Sequence, residues 1–149
     1  KTYPMKKLEF KVEIHAPKAK VWENLWSDAG YRGWTSVFTE GSHAVSDWHE
    51  GSKIQFLDGK GSGMYSVIAL KVEGEQMAFR HIGEIKGGVE QPVDERVQQW
   101  SEGLESYFLS EADGITTVTA DLDAPEEFAG YFAAVFPKAL AKLKEMAES

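Results

Sequence analysis

The chain has 149 residues, 24 acidic against 16 basic side chains, a net charge of −8 and no cysteine. The missing cysteine excludes disulfides, thiolate zinc sites, iron–sulfur clusters and cysteine nucleophiles. The acidic balance, with only Arg32, Arg80 and Arg96 as arginines, disfavours nucleic acid and anionic membranes as partners.

The opening KTYPMKKLEF holds no apolar run of signal-peptide length, and no window approaches the ~20 apolar residues of a membrane span. Residues 1–5 are read as a disordered lead or as a remnant ahead of a natural start at Met5. The whole of 1–149 is read as a single domain, long enough to bury a core without metal or disulfide. These features fit a cytoplasmic protein.

Residues 7–15, KLEFKVEIH, alternate strictly: Leu8, Phe10, Val12 and Ile14 share one face, which predicts a half-buried strand. Ala16-Pro17 ends it and opens a helix in which Val21, Trp22, Leu25 and Trp26 point inward. A second short helix, DAGYRGW, runs to about Gly33. Strands follow near 42–48, 53–57, 64–73, 76–85, 103–111 and 115–122, separated by Glu50-Gly51-Ser52, DGKGSG, Glu73-Gly74-Glu75, Gly87-Gly88 and Asp113-Gly114. Such short connections favour an antiparallel meander. Residues 86–102 form a longer, poorly patterned connection, the kind that is often functional. Asp123-Ala-Pro-Glu126 reads as a capping box, after which Phe128, Phe132, Val135, Ala139, Leu143 and Met146 recur at helical spacing. Pro137 inside that pattern predicts a kink or break near 133–137.

Two short motifs invite chemistry. DWHEG at 47–51 places Asp47, His49 and Glu50 close together, but residues two apart on a strand lie about 7 Å apart, too far to share a metal without another ligand. It reads as a solvated hairpin with Trp48 packed on the sheet. GKGSG at 59–63 lacks the Gly-Lys-Ser/Thr ending that opens a helix in a phosphate loop, so it reads as a hairpin loop.

Three segments carry a resemblance: EIHAPKAKVWENLWSDAGYRGW at 13–34, DWHEGSKIQF at 47–56 and EEFAGYFAAVFPKALAKLKEMAE at 126–148. Their order and spacing resemble the START-related, helix-grip superfamily known as SRPBCC, and within it the branch of activators of the ninety-kilodalton heat-shock chaperone's ATPase. The resemblance implies an α+β helix-grip (START/Bet v 1-like) fold. In it a curved seven-stranded antiparallel sheet wraps a long C-terminal helix, with two short helices after the first strand and a hydrophobic cavity between sheet and helix. It implies no universal catalytic set; members include lipid and hormone carriers and polyketide cyclases.

In such a cavity the candidate ligand-binding residues are Trp34, Phe56, Tyr65, Phe79, His81, Trp100, Tyr107, Phe128, Phe132 and Phe136. Aromatic walls with few polar handles are what a small-molecule pocket uses. Tyr65, His81, Trp100 and Tyr107 would be the handles, with Trp100 at the mouth. His81 reads as sharing a strand face with Met77, Phe79 and Gly83. The expected partner is a small hydrophobic ligand, with no catalytic set, metal or cofactor. The rivals are a chaperone-linked protein-interaction module, monomeric or dimeric, and a cyclase- or dehydratase-like enzyme.

Overall fold

The structure, a computed structural model, describes residues 4–149. Chain order is β1 (Met5–Ile14), α1 (Lys18–Trp26), α2 (Asp28–Thr35), β2 (His43–Val45), β3 (Lys53–Leu57), β4 (Gly63–Val72), β5 (Gln76–Lys86), β6 (Val89–Glu90), β7 (Leu104–Ala112), β8 (Ile115–Pro125) and α3 (Glu126–Glu148), with one 3-10 turn at Val97–Gln99. The strands form one antiparallel sheet, ordered β1-β8-β7-β5-β4-β3-β2, with β6 hydrogen-bonded to β5 off that path. The continuous path thus has the seven strands that the resemblance implies. The two-residue β6 lies in the segment read as a plain connection. Residues 1–3, part of the expected lead, lie outside the described residues, whereas Met5 is paired with Pro125.

The alternation in β1 is realised as read. Val12 pairs with Val118, Phe10 with Ala120 and Leu8 with Leu122, so one row of apolar side chains crosses both strands. α1 buries Val21, Trp22, Leu25 and Trp26. Trp34 of α2 is also buried, and its indole N–H donates to the Leu25 carbonyl at 3.1 Å, which ties α2 to α1. The Trp26 ring lies in a cluster with Trp34, Trp48, Phe79 and Tyr107.

Three local readings need correction. Asp123 does not cap α3. β8 runs on to Pro125, so the Asp123 carboxylate faces β1 and β7 and accepts from Lys7 Nζ at 2.8 Å and from the Leu104 N–H at 3.1 Å. Pro137 does not break α3, which is continuous through it. The residue is exposed, so its ring and the carbonyl it leaves free meet solvent instead of core. His81 and Gly83 do not share a face. The β4–β5 register slips between Tyr65/Gly83 and Ser66/His81, leaving Ile82 as an extra residue. The bulge turns Gly83 toward Tyr65 while His81 stays in line with Phe79 on the inner face.

α3 is seated unevenly. Its second half buries Ala139, Leu140, Leu143 and Ala147, whereas between Glu126 and Val135 only Ala129 is buried. Phe136 sits at the transition, stacked on Phe10 at 5.1 Å and edge-on to Phe38 at 5.1 Å. Ahead of it the helix stands off the sheet.

Candidate functional site

That stand-off leaves a cavity of about 280 Å³ between the first half of α3 and the inner faces of β5, β7 and β8. Phe128, Tyr131, Phe132 and Phe136 line it from the helix, Met64 and Leu122 from the sheet, and Trp100 from the loop before β7. This is near the low end of the ~300–1,000 Å³ typical of small-molecule sites. A larger concavity, about 480 Å³, lies outside α1 among Trp22, Trp26, Trp48 and Lys71. The smaller one lies where sheet and helix part, and there a hydrogen-bond network containing His81 and Glu105 meets an apolar hollow.

The network crosses three adjacent strands. Ser66 Oγ lies 2.7 Å from His81 Nδ1, and His81 Nε2 lies 2.9 Å from Glu105 Oε1. The Tyr107 hydroxyl donates to Glu105 Oε2. Ser66 pairs with His81 across β4–β5, and Phe79 with Glu105 across β5–β7, so all four side chains stand on the inner face. A carboxylate only accepts, so the Nε2 proton belongs to the histidine, and in the neutral ring Nδ1 accepts from the Ser66 hydroxyl. Tyr107 is buried; burial, then the Glu105 charge and hydrogen bond, push its phenol well above the usual value. Burial and the same charge also push the Tyr31 phenol up. Both phenols therefore stay protonated across the neutral range.

Ser66 is only 1% exposed and does not line the cavity, so it supports the imidazole and has no route to a ligand. The side chains of His81 and Glu105 keep 12% and 26% of their exposure, and both face the cavity. The loop carrying Trp100 is sewn to the His81 backbone. The His81 N–H donates to the Gly103 carbonyl at 3.0 Å and the Glu102 N–H to the His81 carbonyl at 2.6 Å. Ser101 Oγ adds a bond to the Ile82 carbonyl at 2.6 Å. These bonds tie the Trp100 loop to the strand that carries His81.

Of the ten residues singled out from sequence, His81, Trp100, Phe128, Phe132 and Phe136 line this cavity. Trp34, Phe79 and Tyr107 are fully packed in the core beneath it. Phe56 packs against Phe79 and His81 from β3 without lining it. Tyr65 is on the opposite face, its hydroxyl bonded to the Gln91 carbonyl at 2.8 Å. Tyr131, an aromatic the sequence allows to approach the same interior, lines the cavity as well, whereas Glu105 is not among the residues read from sequence.

The two motifs that invited chemistry are turns. β2 ends at Val45, and Asp47 Oδ1 accepts from the His49 N–H at 3.0 Å. Glu50 accepts from the Lys71 N–H at 2.7 Å. Trp48 takes a positive φ of 65° and packs on Trp26 and Phe79. Asp58 Oδ1 accepts from the Lys60 and Ser62 N–H groups at 2.7 and 3.0 Å, closing the glycine-rich hairpin loop. Among the described residues no group of three or more His, Asp or Glu side chains is arranged to hold a metal ion, and no helix is long and apolar enough to cross a membrane.

No protein-family model and no curated protein sequence matches the chain. Solved structures do. The Aha1 dimer from Colwellia psychrerythraea is 19% identical with a TM-score of 0.73, the match covering 97% of each chain. DynU16, a protein of the dynemicin biosynthetic locus, is 16% identical with a TM-score of 0.73 over 98% of this chain, which spans only 48% of DynU16. The di-domain ARO/CYC StfQ from the steffimycin biosynthetic pathway is 12% identical with a TM-score of 0.63, over 95% of this chain and 44% of StfQ. At such identities the likeness is one of fold. Together with the sheet order, the two helices after β1 and the closing α3, it establishes that this chain has the helix-grip fold.

Proposed function

We propose that the protein binds a small hydrophobic or aromatic molecule in the cavity between the sheet and α3. The observation that carries this is the hollow itself: a packed core does not ordinarily leave about 280 Å³ lined by Phe128, Phe132 and Phe136. Burying an apolar group the size of a leucine side chain contributes about 1.5–3 kcal/mol, so aromatic walls alone give useful affinity. The likeness to StfQ and DynU16, both from biosynthetic pathways or loci, supports a small-molecule role. A cytoplasmic setting is part of the same proposal.

The second reading, a protein-interaction module, draws on Phe128 and Tyr131, which are 43% and 49% exposed on α3, and on the likeness to the Aha1 dimer. The enzyme reading would use His81 and Glu105 as its acid/base pair, and it requires the same cavity to be filled first.

The test is a titration with the neutral fluorescent probe N-phenyl-1-naphthylamine. The wild-type protein should bind it saturably, and Phe132→Trp, which adds bulk inside the cavity, should weaken binding by about tenfold or more with an unchanged far-UV spectrum. Absence of saturable binding, or equal affinity in the variant, would reject the cavity as the binding site.

A further inference from the structure

The direction of the hydrogen bonds under the cavity determines more than its shape does. With Glu105 ionised, His81 Nε2 and the Tyr107 hydroxyl both donate to it, and in the neutral ring Ser66 donates to His81 Nδ1. Two protons of the network thus meet on one carboxylate. That carboxylate has about four lone-pair sites and receives one protein donor on each oxygen, so acceptor capacity is left on the 26% of the side chain that stays exposed. Of the other polar groups of the lining, His81 Nε2 is used by Glu105, the Tyr131 hydroxyl turns to the Phe38 carbonyl at 3.5 Å, and the Trp100 indole N–H is a donor only. Asp123 also takes one donor on each oxygen, from Lys7 and Leu104, but by register it stands with Lys7 on the face opposite that of Leu8 and Leu122, at the edge of the lining.

We infer that the cavity selects apolar ligands that carry a hydrogen-bond donor, a hydroxyl or an amine, and that Glu105 is the residue that reads it. This rests on the cavity-binding reading and names its ligand class. The aromatic walls take the apolar body and Glu105 takes the donor. A ligand without a donor leaves the carboxylate desolvated and under-bonded, a loss comparable to an unmade charged hydrogen bond. A carboxylate ligand, a fatty acid among them, meets a like charge. His81 and Tyr107 are positioning residues: they fix both oxygens of Glu105 so that its free lone pairs point into the hollow.

The experiment measures the affinities of four probes that share one ring system: 2-naphthol, 2-naphthylmethylamine, 2-methylnaphthalene and 2-naphthoate. They are run against wild-type protein and Glu105→Gln. In the wild type, 2-naphthol or the amine should bind about tenfold or more tighter than 2-methylnaphthalene, and 2-naphthoate weakest of all. The stronger of the two donor probes identifies a neutral hydroxyl or a cation as the group read. In Glu105→Gln the order should compress, with 2-naphthoate gaining because the amide both donates and carries no charge. Equal binding of naphthol, amine and methylnaphthalene to the wild type would overturn the inference while leaving the cavity in place. Binding of none of them would overturn the cavity reading itself. The wild-type ranking decides even where the variant does not fold.

Discussion

Phe136 is the residue on which core and cavity meet, and truncating it separates the two. The side chain is buried, stacked on Phe10 at 5.1 Å and an interplanar angle of 6°, and edge-on to Phe38 at 5.1 Å. Removing the ring loses about 1.5–3 kcal/mol of burial. Each aromatic pair adds about 0.5–1.5 kcal/mol beyond its area. The space opened joins an existing hollow of about 280 Å³ lined by the same residue. Phe136→Ala should therefore cost about 3–4 kcal/mol, within the ~3–5 observed for buried Phe→Ala changes. Against a total of about 5–15 kcal/mol that loss leaves a folded but weakened protein. Urea unfolding, followed by tryptophan fluorescence and by far-UV circular dichroism, gives the loss as a shift in midpoint at constant slope. Phe132→Ala is the control. Phe132 is only partly buried and its ring partners are Tyr131 and Phe136, so its removal should cost about 1 kcal/mol. A loss below about 1.5 kcal/mol for Phe136→Ala, or equal losses for both, would refute the division of α3 into a seated half and a lifted half.

Alkaline titration probes the floor of the cavity. In the unfolded chain Tyr31 and Tyr107 ionise near pH ~10, whereas in the folded protein burial and then Glu105 push both higher. Above that pH the folded state holds more protons, so stability is intact below pH ~10 and falls as pH rises through it toward the folded values. Urea midpoints should drop over this range, less steeply in Tyr107→Phe; identical slopes would argue against a perturbed Tyr107. On the opposite face, a Cβ at Gly83 would lie 2.5 Å from the Tyr65 hydroxyl oxygen. Gly83→Ala should displace that ring from the Gln91 carbonyl and cost about 1–3 kcal/mol, largely recovered by adding Tyr65→Ala, with thermal melts of the single and double variants as the check. A neutral Gly83→Ala would contradict the bulge that turns Gly83 under Tyr65.

The elements were legible because their signals are local. Leu8, Phe10, Val12 and Ile14 alternate, α1 places four apolar residues at helical spacing, and glycine-bearing turns part the strands. What escaped depends on register. Nothing in the sequence marks Ile82 as the extra residue of a bulge, so strict alternation put Gly83 beside His81. Asp123 carries a cap signature, but pairing with β1 extends β8 past it and takes its carboxylate. Glu105 shares its parity with Tyr107 and Leu109, and that was the available signal. It was obscured because Leu104 and Phe108 make the other face of β7 apolar as well, so neither face reads as the inner one. Tyr65 was singled out for its ring and hydroxyl, but alternation with the inward Ser66 puts it on the outer face.

The placement of Glu105 also bears on why the fold tolerates the network. An acid on the inner face of a sheet loses solvation, and replacing a buried polar cluster by well-packed apolar side chains is often neutral or stabilising. Stability alone would favour leucine at 105, in line with Phe79 across β5–β7 and Leu122 across β7–β8. Instead three strands contribute Ser66, His81, Glu105 and Tyr107, and the donor of each bond is matched to an acceptor until Glu105. The chain ends at Glu105, the more exposed of the two network members that face the hollow. A network built only to satisfy itself would close on a backbone carbonyl, as Thr116 does on Ala16 at 2.7 Å and Trp34 does on Leu25 at 3.1 Å. This one stays open toward the space that α3 leaves unfilled, where a ligand's donor completes it.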